Sequence, residues 1–187
     1  MVTKLFYTAG VPRNVLQLLP GKGDKVGAKL VSTKQVNGVC FTGSTATGLR
    51  INRSMAETMM PEAPLIAETG GLNAMVVDST ALPEQAIRDI VRSAFQSAGQ
   101  RCSALRILYL QEDIYDEFLD MLFGAMDELR IGNSWELATD VGPVISANAR
   151  QSVQTYIDAA AVQGRLIKTI DNEIRTNGHF VAPSVIR

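Results

Sequence analysis

Apolar side chains along this chain follow two rhythms. Some form short unbroken runs, and others recur every three or four residues, which predicts strands interleaved with helices. VLQLLPG, from Val15 to Gly21, is an apolar run closed by Pro-Gly and predicts a buried strand followed by a turn. In GDKVGAKLVST, Val26, Leu30 and Val31 stand at helical spacing behind Asp24, the expected N-cap. GVCFTG, from Gly38 to Gly43, is the next predicted strand, and STATGLRINRSMAETMM is a helix that stops before Pro61. PLIAE, from Pro64 to Glu68, is a further strand ending at Thr69-Gly70-Gly71.

Beyond Gly71 the alternation renews itself. NAMVVD reads as a strand, and LPEQAIRDIVRSAFQSAG as a helix with Ala86, Ile90, Val91, Ala94 and Phe95 on one face. ALRILYL is a strand running up to Gln111, followed by the helix DIYDEFLDMLFGAMDEL. A turn at VGPVIS leads into a helix through ANARQSVQTYIDAAAVQG, and RLIKTI and HFVAPSVI are the expected closing strands. Strands alternating with helices predict parallel βαβ units and an α/β fold. The Thr69-Gly-Gly stretch is the expected domain crossing, dividing the chain into residues 1–71 and 72–187. The chain opens inside a helical pattern, MVTKLFYTAG, and closes on a strand. From this we expect an internal piece of a longer protein, with sheet edges left open to self-association.

Composition narrows the chemistry. Eighteen basic and 19 acidic side chains leave a net charge of −1. That balance supplies no field for nucleic acid or an anionic membrane. A hydrophobic content of 46% and a charged content of 20% belong to a soluble globular chain, and no apolar run is long enough for a membrane span. Two cysteines, Cys40 and Cys102, make no disulfide framework, so a reducing, cytoplasmic setting is expected. One histidine, His179, and no cluster of ligating side chains predict no metal site.

Three stretches carry candidate chemistry. In FTGSTATG, Gly43 and Gly48 bracket Ser44, Thr45, Ala46 and Thr47 between a strand and a helix. Such a turn presents unpaired N–H groups and the positive end of the helix dipole, which suit a phosphate; its plainer reading is a tight turn. It matches neither the G-x-G-x-x-G fingerprint nor a Walker A loop, since Leu49-Arg50 stands where Lys-Ser/Thr belongs. Glu68 closes an apolar strand ahead of two glycines, a place for a general base with room to move, or for a helix cap or ion-pair partner. Cys102 lies in SAGQRCSALR between Arg101 and Arg106 at the end of a long helix. Nearby positive charge stabilises a thiolate and makes a nucleophile; the other reading is a small buried apolar filler. Cys40, inside GVCF, takes the filler reading. Trp135 is expected to pack within its loop, and Met55, Met59 and Met60 to fill core on a helix.

Taken in order, FTGSTATG, ETGG and GQRC resemble the cofactor turn, the general-base motif and the thiol motif of the aldehyde dehydrogenase superfamily, and Glu68 and Cys102 stand at that family's spacing. The likeness runs from AGVP at Ala9 through GPVIS to FVAPSVI. ETGG, SAGQRCSALR and LQEDIYDEFLDMLFGAMDELRIGN are similar in particular to its pyrroline-5-carboxylate dehydrogenases, in the form fused to a proline dehydrogenase in bacterial bifunctional enzymes. The resemblance implies a partial Rossmann-like cofactor domain over residues 1–71 and part of a catalytic α/β domain over 72–187. It implies Cys102 as nucleophile, Glu68 as base, Gly43, Ser44 and Gly48 at the pyrophosphate of NAD, and Ser103 near the substrate carboxylate. The implied reaction takes glutamate γ-semialdehyde to glutamate through a thiohemiacetal and a thioester. A homo-oligomer is implied as well. FAD would belong only to the separate upstream proline dehydrogenase module, which nothing in this chain matches. Rival readings are another aldehyde, such as succinate semialdehyde, or a catalytically silent homologue serving as a binding subunit. In the family, an asparagine of the oxyanion hole and a lysine at the adenosine ribose precede these motifs, and a glutamate at the nicotinamide ribose follows them. The chain alone is therefore expected to show little or no NAD-dependent turnover of glutamate semialdehyde. Measurable turnover by the purified chain would contradict this.

Overall fold

The computed structural model describes residues 1–170 and 177–187. They form two compact units, Met1–Gly70 and Gly71–Arg187.

In the first unit, α1 (Val2–Thr8) leads into an extended stretch, then a π-type turn at Gly23–Gly27 that runs on into the short helix α2 (Ala28–Val31). Strand β1 (Val39–Gly43), helix α3 (Thr45–Thr58) and strand β2 (Leu65–Thr69) then make a parallel βαβ unit. Its register runs from Val39 opposite Leu65 to Gly43 opposite Thr69. α3 packs through Gly48, Ile51 and Met55, its buried residues. A Cβ at Gly48 would stand 3.4 Å from Thr69 Cγ2 and 3.9 Å from Ala67 Cβ, so the small residue sets how closely helix and strand approach. At the far end of α3, the hydroxyls of Ser54 and Thr58 donate to the Val31 carbonyl, tying α2 to it.

Two sequence expectations fail here. Val15–Gly21 is not a strand. Val15 N–H closes a turn onto the Pro12 carbonyl, and the Leu16 carbonyl accepts from the Tyr7 hydroxyl at 2.6 Å. Val15, Leu18 and Leu19 are all exposed, and Pro20 removes a ladder donor near the end of the run. Asp24 does not cap α2 either. The residue before α2 is Gly27, and Asp24 falls inside the preceding π-type turn, whose own cap is Lys22 with extended backbone and a carbonyl accepting from Lys25 and Val26.

The second unit repeats the motif with β3 (Asn73–Val77), α4 (Pro83–Phe95) and parallel β4 (Leu105–Leu110). Then come α5 (Tyr115–Asp127), α6 (Ala147–Val162), and an antiparallel pair of β5 (Leu166–Thr169) with β6 (Ser184–Ile186). α4 opens on Pro83 at its first turn, where a missing N–H costs nothing. α6 is capped by Ser146, whose hydroxyl accepts from Ala149 N–H. The core gathers Val77 of β3, Ile87 and Ile90 of α4, Leu105 of β4, and Phe118, Leu122 and Met126 of α5. Lys168 on β5 pairs with Asp127 at the end of α5 at 2.6 Å. The fold is the α/β class expected, built from parallel βαβ units.

Burial departs from expectation in three places. Cys40 is exposed, as is its register partner Ile66, because that face of the two-stranded β1–β2 sheet is uncovered. Trp135 does not pack. It is 93% exposed in a turn whose contacts, Trp135 N–H to Asn133 Oδ1 and Glu136 N–H to the Asn133 carbonyl, are polar backbone bonds. Of the three methionines, Met55 is core and Met60 is exposed beyond the end of α3.

Leu122 is 2% exposed at the centre of the second unit's core. Leu122→Ala is expected to lower that unit's unfolding free energy by about 2–5 kcal/mol, read by urea denaturation.

Candidate functional site

The three sequence candidates fall at three defined places. FTGSTATG spans the end of β1 and the first turn of α3. Ser44 is the N-cap of α3. Its Oγ accepts from Thr47 N–H at 3.2 Å, and its hydroxyl donates to Thr47 Oγ1, which in turn accepts from Arg50. The Thr45 and Ala46 N–H groups, in the first helical turn, have no partner within the helix. A Cβ at Gly43 would fall 2.5 Å from the Phe41 ring, so a side chain there would displace that ring. The turn therefore leaves two N–H groups, a small-residue approach and the positive end of a 14-residue helix on one exposed surface. That donor set fits a pyrophosphate. The Ser44 hydroxyl must redirect its hydrogen from Thr47 Oγ1 to reach one.

Glu68 lies on β2 opposite Thr42 of β1, one residue before the strand ends, and is exposed. Beyond it, a Cβ at Gly70 would meet nothing, so the backbone is sterically open there. Glu68 belongs to the first unit and Cys102 to the second.

Cys102 is exposed, in the loop between α4 and β4. This loop is tightly specified. After α4 the backbone enters the left-handed region at three successive residues, Ser97 (φ 58°), Ala98 (φ 53°) and Gly99 (φ 65°). Such a conformation costs a non-glycine residue about 1–2 kcal/mol, so surrounding contacts must hold it. Several do. The Gln100 carboxamide donates to the Ser97 and Pro143 carbonyls, at 3.0 and 3.3 Å, and accepts from Ile145 N–H at 2.8 Å. Arg106 folds its guanidinium back onto the Gly99 carbonyl at 2.5 Å, and Arg101 reaches the Arg92 carbonyl at 3.3 Å. Both arginines beside the thiol thus bond backbone carbonyls, Arg106 within the loop and Arg101 in the last turn of α4. Ala104 N–H closes a turn onto the Arg101 carbonyl, which places Cys102 and exposed Ser103 at its two middle positions. The filler reading of Cys102 does not hold, since its side chain is at the surface.

Two side chains that sequence reasoning passed over hold this loop. Gln100 stood inside the thiol motif without a role. Asn73, at the start of β3, donates its carboxamide N–H groups to the Cys102 carbonyl at 2.7 Å and the Ala104 carbonyl at 3.0 Å. An Asn beginning a strand, just past two glycines, was its only signal. A groove of about 790 Å³ in the second unit runs past Gly99 and Gln100 to Tyr156 and Val185, and Cys102 is not among its lining residues. Among the described residues no group of side chains is arranged to hold a metal ion, and no helix is long and apolar enough to cross a membrane.

Comparisons with known proteins bear on this arrangement. A family model described as the aldehyde dehydrogenase family matches residues 1–187. The bifunctional protein PutA of Klebsiella aerogenes is 50% identical over 194 residues, covering 97% of this chain and 15% of its own length. A solved variant of Bradyrhizobium japonicum proline utilization A superposes with a TM-score of 0.90 at 47% identity, covering 97% of this chain and 18% of that one. A 1-pyrroline-5-carboxylate dehydrogenase from Thermus, solved with bound NAD, gives a TM-score of 0.87 at 33% identity, covering 98% and 36%. The chain thus spans about a seventh of the curated PutA relative it matches.

Gly99 separates this loop from an ordinary helix end. A Cβ there would lie 2.7 Å from the Ala94 carbonyl oxygen at a left-handed φ, so Gly99→Ala is expected to cost about 2–3 kcal/mol. Gly124, in the interior of α5 with open space around it, is the contrasting case: Gly124→Ala is expected to stabilise by about 0.5–1 kcal/mol. Urea unfolding of the two variants should give opposite signs.

Proposed function

This chain belongs to the aldehyde dehydrogenase family, and on that premise we propose that it carries the thiol, the general base and the pyrophosphate turn of an enzyme oxidising glutamate γ-semialdehyde to glutamate with NAD. The observation that supports this most directly is an exposed Cys102 on a loop held at its Cys102, Gly99 and Gln100 positions. A filler cysteine needs no such loop. The choice of substrate rests on the likeness to PutA and to 1-pyrroline-5-carboxylate dehydrogenase.

The chemistry assigned to these residues is as follows. Cys102, as thiolate, attacks the aldehyde carbon and forms a C–S bond, moving the carbonyl π electrons onto oxygen. The Cys102 N–H donates to that oxyanion, as preformed backbone donors do in acyl transfer. Bound NAD would supply the acceptor for the hydride lost from the aldehyde carbon. The carbonyl re-forms as a thioester on Cys102 Sγ. Glu68 then takes a proton from water, hydroxide adds to the thioester carbon, and the C–S bond breaks to release a carboxylate and regenerate the thiolate. Gly43, Gly48 and the N–H groups of Thr45 and Ala46 form the cradle for the pyrophosphate, with Ser44 as the hydroxyl donor. Ser103, beside the thiol on the same turn, is assigned to the substrate's distal carboxylate.

The division of labour between Cys102 and Glu68 can be read separately in the enzyme that contains this chain. Cys102→Ser is expected to abolish NADH formation from glutamate semialdehyde. Glu68→Gln is expected to leave a stoichiometric burst of NADH while steady turnover falls by about 100-fold or more, because only thioester hydrolysis needs the base. Loss of the burst in Glu68→Gln would remove Glu68 from the hydrolytic step.

A further inference from the structure

Asn73 bonds the thiol loop in a way the reaction above does not use. It opens β3 opposite Leu105, and the register shifts directly after it. Cys102 and Ala104 precede β4, so their carbonyls lie beyond the start of the β3–β4 ladder. The Asn73 carboxamide reaches both of them, at 2.7 and 3.0 Å. An amide nitrogen carries two hydrogens in one plane, so two acceptors fix that plane. The neighbouring residues leave the loop little other freedom. Ala104 is fully buried, its N–H is committed to the Arg101 carbonyl, and Leu105 N–H donates to Ser93 Oγ on α4.

We propose that Asn73 is a positioning residue for Cys102, its forked carboxamide fixing the Cys102–Ser103 peptide plane and with it the direction of the thiol. Within the turn, the Cys102 carbonyl orientation sets ψ of Cys102, and the Cα–Cβ bond follows from it. A carboxamide is required because both contacts are to carbonyl oxygens. Aspartate has the same shape with no hydrogen to offer either of them. The proposal rests on Cys102 being the nucleophile. It adds a residue outside the three motifs and assigns it a task distinct from binding or proton transfer.

The test is site-resolved alkylation of the chain by iodoacetamide across pH, read by mass spectrometry, with Cys40 in the same molecule as the internal reference. Wild type is expected to label Cys102 faster than Cys40 at neutral pH. Asn73→Asp and Asn73→Ala are expected to slow Cys102 by at least about five-fold with Cys40 unchanged, and Asn73→Gln, which keeps both hydrogens, to recover part of the loss. A purely structural role would instead lower the second unit's unfolding midpoint in Asn73→Asp and Asn73→Ala, read by urea unfolding of each variant. Fast Cys102 labelling that is unchanged in Asn73→Asp and Asn73→Ala overturns the positioning role and leaves the nucleophile assignment standing. Wild-type Cys102 reacting no faster than Cys40 overturns both. Unfolding of Asn73→Asp and Asn73→Ala alike overturns the proposal in favour of a folding role.

Discussion

The left-handed passage out of α4 is the constraint on which the thiol's surroundings depend. A helix ending on Phe95 and a parallel strand beginning at Leu105 must be joined by a chain that reverses direction and still offers Cys102 to solvent. Three consecutive left-handed residues make the reversal, and two of them are not glycine. That conformation persists because Gln100 and Arg106 each bind a carbonyl inside it. Gln100 also extends to Pro143 and Ile145, so the segment preceding α6 is joined to the same knot. Both arginines that flank the thiol are committed to backbone carbonyls, and their contribution to the loop is geometric before it is electrostatic.

Much of this was legible in the residues. Strand–helix alternation predicted both parallel βαβ units, because short apolar runs suit strands buried in a parallel sheet and a recurrence of three to four follows from helix geometry. The ends of β1, α3 and β2 fell close to where glycine, serine and proline punctuate the pattern. Val15–Gly21 misled because an apolar run reports only hydrophobicity. Whether it becomes a strand depends on a partner able to complete its ladder, and here the Leu16 carbonyl is taken by the Tyr7 hydroxyl. Cys40 misled for a related reason: an apolar run such as GVCF does not say whether both faces of its strand are covered.

Asn73 shows a different kind of illegibility. Its partners are 29 and 31 residues away, and nothing local distinguishes it from a strand-opening polar residue. The three motifs could be found in the chain because each is contiguous. The contacts that hold the thiol loop are between segments, and appear only once β3 and β4 are paired.

The uncovered face of β1–β2 has a practical bearing on stoichiometry. With Cys40 and Cys102 both at the surface, a bulk colorimetric count of accessible thiols returns two per chain when both are free and still returns one when Cys102 is blocked. On the proposed role of Cys102, titrating active centres by total sulfhydryl content would therefore overstate them by up to twofold, and a preparation that had lost the Cys102 thiol would still register as half active.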